Sequence, residues 1–487
     1  MTSSALSTAV ESPARTGRDA GELRSWIEER LRRAARARSE TIALSVAAPL
    51  ADPEALFEIV PAGIGFFWHP PQGAACRGPA VAGVGAAHRI RLAGERRFRQ
   101  LADAASRVWQ GLTAMSHPDC ESPPPPRFYG GLAFDVGAAD HEPWTEFGDG
   151  CFTLPRLLYA RDGDSASLTV TLRAEEVFDG DEGTAAALAD EIESLRSALA
   201  GWHPAPSAAP SVLEMQRPPR SEFAAQVDAI RSAIAGGSFS KIVAAGCSRA
   251  RLAAALDPGD VLRRLTQGVL TPARSRVTRY AFRRRLSTFL GATPERLIAR
   301  HGQVIASEAL AGSIASGAEH GARLLASDKD LREHQLVIDS IVRRLRPLTD
   351  RLEVAERPRI QKLRDVFHLH TPISGVLRQP RHVLELVEEL HPTPAVGGVP
   401  TGAAMRWIRE HEAEPRGWYA APVGWFDAAG DGEFAVALRS CVLTAAAAGG
   451  MEALIYAGAG IVRDSDPDLE YTETELKKQT LLTALGA

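Results

Sequence analysis

Ala457-Gly-Ala-Gly-Ile-Val-Arg-Asp-Ser-Asp-Pro-Asp-Leu-Glu470-Tyr-Thr-Glu473-Thr-Glu-Leu-Lys477 joins a small-residue turn to the start of a helix. Glu470, Glu473 and Lys477 stand at i, i+3 and i+7, so all three side chains share one helix face. Two carboxylates on one face, beside glycines that let backbone approach a ligand, can hold a hard cation. An isolated pair of this kind is more often a solvated acidic face, so the rest of the chain has to choose.

A second acidic pair lies upstream. Asp330 and Glu333 stand in Ser-Asp-Lys-Asp330-Leu-Arg-Glu333-His334, at the opening of a helix predicted over Leu331–Leu345. Acidic residues favour a first turn for dipole reasons alone. Facing Glu470 and Glu473, they would instead complete a set of four carboxylates. Such a set suits Mg2+, which takes oxygen ligands and keeps several waters.

Three further side chains carry candidate chemistry. Lys241 follows a Gly-Gly turn at the start of an apolar strand, Ser240–Ala245, and shares the face of Val243. It is either a lysine with its head in water, or one that loses water, lowers its pKa and becomes a base. Glu295 follows Thr-Pro in the stretch 289–298, which bends at Gly291 and Pro294. It is a surface glutamate if exposed and a general acid if buried. Arg439 ends the strand-like Phe434-Ala-Val-Ala-Leu-Arg, where its fork fits a substrate carboxylate or a structural acid equally well. Ala311-Gly312-Ser313 and His391–Pro400 are small-residue and proline stretches able to line a cleft.

Composition narrows the class. The chain has 487 residues, 45% hydrophobic and 24% charged, and a net charge of −4. That is long enough for a large α/β unit or two to three domains, and no basic field points to nucleic acid. Cys76, Cys120, Cys151, Cys247 and Cys441 form no C-x-x-C pair, which argues for a reducing compartment and against a zinc site. No apolar run is long enough to span a bilayer and the N-terminus lacks the order of a signal peptide, so a cytoplasmic protein is expected.

Residues 1–20 are expected to be disordered, and 21–202 to form an N-terminal part with helices over 21–38, 96–114 and 183–200. Strands are predicted at 41–46, 64–68, 128–135, 152–160 and 167–173. The proline-rich 203–219 is a linker or crossover. From 220 to 487 the pattern is denser. It includes a helix over Glu222–Ala235 and a hairpin of Glu433–Thr444 with Ala453–Ala457 about Gly449-Gly450.

Taken in order, these pieces resemble the chorismate-utilising enzyme family, and within it the isochorismate synthase branch. The resemblance runs between residues 220 and 487. It is carried by Ser240-Lys241-Ile-Val, Phe289-Leu-Gly-Ala-Thr-Pro-Glu295-Arg-Leu, Glu308-Ala-Leu-Ala-Gly-Ser313, Leu324–His334, His368-Leu-His-Thr-Pro-Ile373, His391-Pro-Thr-Pro-Ala-Val-Gly, Arg416-Gly-Trp-Tyr419, Val436-Ala-Leu-Arg439-Ser and the C-terminal stretch. Gly130-Gly-Leu-Ala-Phe-Asp135 is similar to the family's first half, less specifically. The lysine at Lys241 resembles the water-using branch; the ammonia-using branch lacks it. Ser313-Ile314-Ala315 leans away from salicylate synthases, which have Gly-Thr-Arg.

The resemblance implies an α/β fold of two large antiparallel-rich sheets packed as a sandwich with helices outside, the N-terminal third contributing strands. It implies a Mg2+ ion held by Glu333 and Glu473, with Asp330 and Glu470 in support. Tyr419 and Arg439 would hold a substrate carboxylate, and Gly312, Ser313, His368, Gly458, Gly460 and Lys477 would complete the pocket. Lys241 would activate water and Glu295 protonate a leaving hydroxyl, which requires Lys241 to act as a free amine. The partner is the small molecule chorismate, with neither nucleic acid nor membrane, in a monomer or homodimer. Salicylate synthase and a catalytically degraded binding subunit are the alternatives. Four departures from the family pattern stand out: Gly246 where arginine is usual, Thr293 where serine is usual, His370, and the arginine-rich 271–286.

Overall fold

Successive residues of a strand point to opposite faces of its sheet. In Ile64–His69, Phe66 and Trp68 enter one apolar cluster and Phe67 another. Tyr280 and Phe282 divide from Ala281 in the same way, and Phe289 from Leu290. Strands buried on both faces belong inside a layered fold. The structure, a computed structural model, describes residues 18–60, 63–71, 78–178, 183–204, 211–268, 277–446 and 449–486.

These strands are central in a 13-stranded sheet. Its hydrogen-bonded order is Val212–Gln216, Lys241–Leu252, Met451–Ile461, Ser440–Ala445, Ser287–Thr293, Thr278–Arg284, Ile64–His69, Ala80–Val84, Leu157–Asp162, Ser165–Arg173, Thr41–Ala47 and Leu112–Ser116. Gly398–Val399 pairs with the Lys241 end of its strand. The last two strands in the order are parallel to one another; the other described neighbours are antiparallel. A ten-stranded antiparallel sheet runs Thr349–Val354, Val366–Leu377, Val304–Ala315, Arg296–His301, Gly432–Val436, Pro422–Asp427, Arg127–Leu132, Gly150–Leu154 and His88–Leu92, with Arg359–Lys362 beside Val366–Leu377.

The two sheets face each other across the first apolar cluster. The second cluster lies between the larger sheet and helices that include Arg18–Arg36, Thr184–Ala200 and Pro258–Gly268. This is the expected α/β sandwich with helices outside. Residues 21–202 supply strands to both sheets.

Several local expectations change. The predicted helix over 96–114 ends at Gln110, and beyond Gly111 the chain becomes the edge strand Leu112–Ser116. The strand predicted over 152–160 is two, in different sheets, divided at Pro155, which has no N–H to extend a ladder. Glu433–Thr444 is likewise divided between the sheets, with Arg439 at φ 51° in the crossing. The lysine strand is longer than Ser240–Ala245 and pairs with Met451–Ile461 from Ile242 to Leu252.

Residues 1–17 and 205–210 lie outside the described residues. The disorder expected to residue 20 is corrected at Arg18, where the first helix begins. Within the 203–219 stretch, Val212–Gln216 pairs with Arg249–Leu252 as an edge strand. In the arginine-rich 271–286, Thr278–Arg284 is a core strand whose arginines find partners. Arg279 bonds Glu54 at 2.8 Å, and the Arg283 guanidinium lies 4.3 Å from the Phe57 ring centre. Residues 269–276 lie outside the described residues. Among those described, Cys120, Cys151, Cys247 and Cys441 are free thiols, and no helix is long and apolar enough to cross a membrane.

Phe289 joins the sheets through Trp144, Phe147, Tyr280 and Trp418, with ring centres 5.2, 6.3, 5.6 and 6.3 Å away. Phe289→Ala is expected to cost about 3–5 kcal/mol of stability, read as a fall in the urea midpoint.

Candidate active site

Two helices begin at one cavity. Helix Asp328–Leu345 is capped by Ser327, whose Oγ accepts from the Asp330 N–H at 3.3 Å. Helix Pro467–Ala484 is capped by Asp466, which accepts from the N–H groups of Asp468 and Leu469 at 2.9 and 3.0 Å. Asp330 and Glu470 therefore fall in the first turns, Glu333 and Glu473 one turn further along the same faces, and all four line the cavity. The opposite wall comes from Lys241–Leu252 and Met451–Ile461, whose pairing sets Val243 beside Gly460 and Ala245 beside Gly458. Every site residue expected from the sequence lines this cavity except Lys241.

Lys241 is 1% exposed and donates to Glu333 Oε1 at 2.8 Å. Gly460 lets them meet. A Cβ there would stand 2.5 Å from Glu333 Oε1 and 2.9 Å from Lys241 Cε. Lys329 donates to Glu470 Oε1 at 3.0 Å. Lys477 pairs with Glu473 and donates to the Gly458 carbonyl at 2.9 Å. Asp330 accepts from the Ser327 hydroxyl.

Burial pushes Glu333 up, but Lys241, then Lys477 and Lys329, outweigh it and hold the carboxyl below its usual range. Asp330 is raised by burial, with repulsion from Glu333 and Glu473 added. Glu470 is raised by burial and by Glu473. Carboxylates that repel one another across a cavity are oxygen donors of the hardness Mg2+ takes, so the donor set fits such an ion. As the side chains stand, each acid has a lysine or hydroxyl partner. Among the described residues no group of three His, Cys, Asp or Glu is placed to hold a metal ion.

The next wall carries a guanidinium, an imidazole and two hydroxyls. Gly312 has φ +76°, where strand Val304–Ala315 slips register between Ala311 and Ser313. A Cβ on it would press on Asp330 at 3.1 Å. Arginine always donates, so His368 Nε2 accepts from Arg439 at 2.9 Å and the ring proton is on Nδ1, which donates to Ser313 Oγ at 3.0 Å. Burial, then Arg439 and Lys477, push His368 well below the usual imidazole range, in keeping with a neutral ring. A second Arg439 nitrogen donates to the Lys477 carbonyl at 3.0 Å. Burial keeps the Tyr419 phenol protonated, and its ring stacks on Tyr456 with centres 5.2 Å apart.

Glu295 is 3% exposed. Burial, then the charge of Glu308, lift it to about 8, against the opposing pull of Lys241 and Lys477. It carries a proton at neutral pH. Thr293 fixes the bend as a serine would: its Oγ1 accepts from the Glu295 N–H at 3.2 Å and donates to the Val436 carbonyl at 2.6 Å.

Of the other departures, His370 does not line the cavity and bonds Glu308 through Nε2 at 2.8 Å. A Cβ on Gly246 would meet only Pro218, at 3.6 Å. The sequence pattern did not single out Lys329, nor give Glu308 a role. Lys329 had a signal, because a lysine in a first turn opposes the helix dipole.

Together, a raised carboxyl, a buried lysine, four further carboxylates and the cations Lys329, Arg439 and Lys477 define an enzyme site for a small molecule. Residues 28–486 match the family model described as chorismate binding enzyme. The chain is 36% identical to the salicylate biosynthesis isochorismate synthase of Pseudomonas aeruginosa, covering 81% of this chain and 80% of that protein. It is 34% identical to isochorismate synthase MenF of Bacillus subtilis, over 74% and 75%. Among solved structures it is similar to MenF, the menaquinone-specific isochorismate synthase from Escherichia coli, with a TM-score of 0.72 and 26% identity over 94% of this chain and 99% of that one. The chain belongs to the chorismate-binding enzyme family.

The raised Glu295 has a signature in stability. Folding keeps a proton that the unfolded chain, titrating near 4.5, releases. The stability this proton brings is present below 4.5 and is lost as pH rises to about 8. Glu295→Gln removes the loss. Its stability relative to wild type should therefore grow across that window, by at most about 1.4 kcal/mol per pH unit, in urea unfolding at several pH values. A difference that is flat with pH would contradict a protonated Glu295.

Proposed function

We propose that the protein is an isochorismate synthase, an isomerase that converts chorismate to isochorismate with the help of Mg2+. The observation that carries this reading is the placement about one cavity of a buried, raised Glu295 and of Lys241, buried behind its bond to Glu333. Relatives similar over most of the chain bear that activity in their names.

The reaction moves a ring hydroxyl from C4 to C2, which needs a base for the incoming water and an acid for the outgoing hydroxyl. Lys241 takes a proton from water as the oxygen attacks C2; for this its ion pair with Glu333 has to open and its ammonium has to give one proton to solvent first, so that the free amine is the base. Glu295 gives its proton to the C4 hydroxyl, which leaves as water while both ring double bonds shift by one position, from C1=C2 and C5=C6 to C1=C6 and C4=C5. One water enters and one leaves, so composition is unchanged.

Glu333 and Glu473 would hold the Mg2+, with Asp330 and Glu470 supporting through water. When bound, the cation supplies positive charge for the ring carboxylate. Arg439 and Tyr419 hold the enolpyruvyl carboxylate, the guanidinium oriented by His368 and Ser313. Gly312, Gly458, Gly460 and Lys477 shape the rest of the pocket. The enzyme works in the cytoplasm as a monomer or homodimer, and its product feeds menaquinone, siderophore or salicylate synthesis.

Incubation with chorismate and Mg2+, followed by chromatography, should yield isochorismate without pyruvate. Pyruvate release would make the enzyme a salicylate synthase, and unconsumed chorismate would sink the proposal. A chelator should abolish turnover and added Mg2+ restore it. Lys241→Ala should lower kcat by about 10²–10⁴; full activity in that variant would remove Lys241 from the chemistry.

A further inference from the structure

Glu308 lies outside the cavity lining, on the strand that carries Gly312 and Ser313. Its Oε1 accepts the N–H of Arg296, the residue after Glu295, at 2.7 Å. Its Oε2 is 2.8 Å from His370 Nε2. An ionised carboxylate only accepts, so Nε2 is the donor. The backbone around Glu295 is held at four points. Gln361 donates to the Pro294 carbonyl at 3.2 Å, Thr293 receives the Glu295 N–H, the Glu295 carbonyl accepts from Val436 N–H at 3.0 Å, and Glu308 takes the next N–H.

We infer that Glu308, aimed by His370, is a positioning residue that anchors the turn behind Glu295 and sets a fixed negative charge behind that acid. The inference rests on the isochorismate synthase reading and deepens it. Two neighbouring carboxyls resist ionising together. Donors from His370 and Arg296 fix the charge on Glu308, which leaves the proton to Glu295. The charged groups acting on Glu295 are Glu308, Lys241 from strand Lys241–Leu252, and Lys477 from helix Pro467–Ala484. Those acting on Glu308 are His370 from strand Val366–Leu377 and Arg296, which also bonds Glu433 at 2.9 Å. Lys241 and Lys477 both favour loss of the Glu295 proton. Burial is the larger opposing influence, and Glu308 is the charged neighbour that adds to it.

The test follows the infrared carbonyl band of the protonated Glu295 carboxyl against pH, without substrate, with Glu295→Gln as the blank. Wild type should lose the band near pH 8. Glu308→Gln keeps an oxygen for the Arg296 N–H and removes the charge. Its band should vanish about one pH unit lower or more, and the pH dependence of kcat should move with it. His370→Leu, which takes the donor from Glu308, should behave alike, and His370→Gln, which restores one, should titrate as wild type. The His370 pair decides the matter if Glu308→Gln does not fold. A band that titrates as in wild type in both Glu308→Gln and His370→Leu overturns the inference, as does a loss of rate equal at every pH with the band unmoved. Failure of wild type to make isochorismate would sink the parent reading alone, because the titration needs no substrate.

Discussion

The ion pair between Lys241 and Glu333 is the contact around which the site is arranged. A lysine 1% exposed needs a partner, and removing one member of such a pair typically costs about 3–5 kcal/mol because the other charge stays buried. The pair ties strand Lys241–Leu252 of the larger sheet to the N-terminal half of helix Asp328–Leu345. Gly460, on the neighbouring strand, is the space in which it forms. Three elements are thus held by one charged contact, and the other acids take their places relative to it.

The same logic extends across the cavity. Lys329 on one helix reaches Glu470 on the other, and Lys477 closes on Glu473 within its own helix. Four carboxylates can share the space because lysines or a hydroxyl neutralise or engage each of them. A divalent ion would compete for the same oxygens. Glu333, the counter-ion of Lys241, would be one of the carboxylates such an ion draws on, so the ion and the lysine would compete for it.

Much of this was legible in the sequence, for reasons that differ by residue. Helical spacing alone put Glu470, Glu473 and Lys477 on one face, and the caps Ser327 and Asp466 set where the acidic turns begin. The motifs supplied Gly312, His368 and Arg439, which the fold brings to one cavity. Partnerships between separate elements were not legible, because they join residues far apart in the chain. Lys241 with Glu333 and His370 with Glu308 are of this kind. The strand Thr278–Arg284 was obscured for a related reason. Its arginines break the apolar pattern, and only the fold shows Glu54 and the Phe57 ring waiting for them. Strand ends that change sheets also escaped, since periodicity does not tell two short strands from one long one.

Those changes of sheet explain why the site lies where it does. The chain leaves the larger sheet at Thr293 and enters the smaller at Arg296, with Glu295 in the crossing. It leaves the smaller at Val436 and enters the larger at Ser440, with Arg439 in the crossing. Side chains at these two crossings face the cavity, where Ser313 and His368, near the ends of their own strands, join them. The two crossings are joined to each other. Val436 donates its N–H to the Glu295 carbonyl at 3.0 Å and accepts from Thr293, and Ala292 donates to the Arg439 carbonyl at 3.2 Å. The acid and the guanidinium are therefore fixed relative to one another by backbone hydrogen bonds between neighbouring crossovers. Backbone held in this way resists the small displacements that proton transfer to a bound substrate tolerates least.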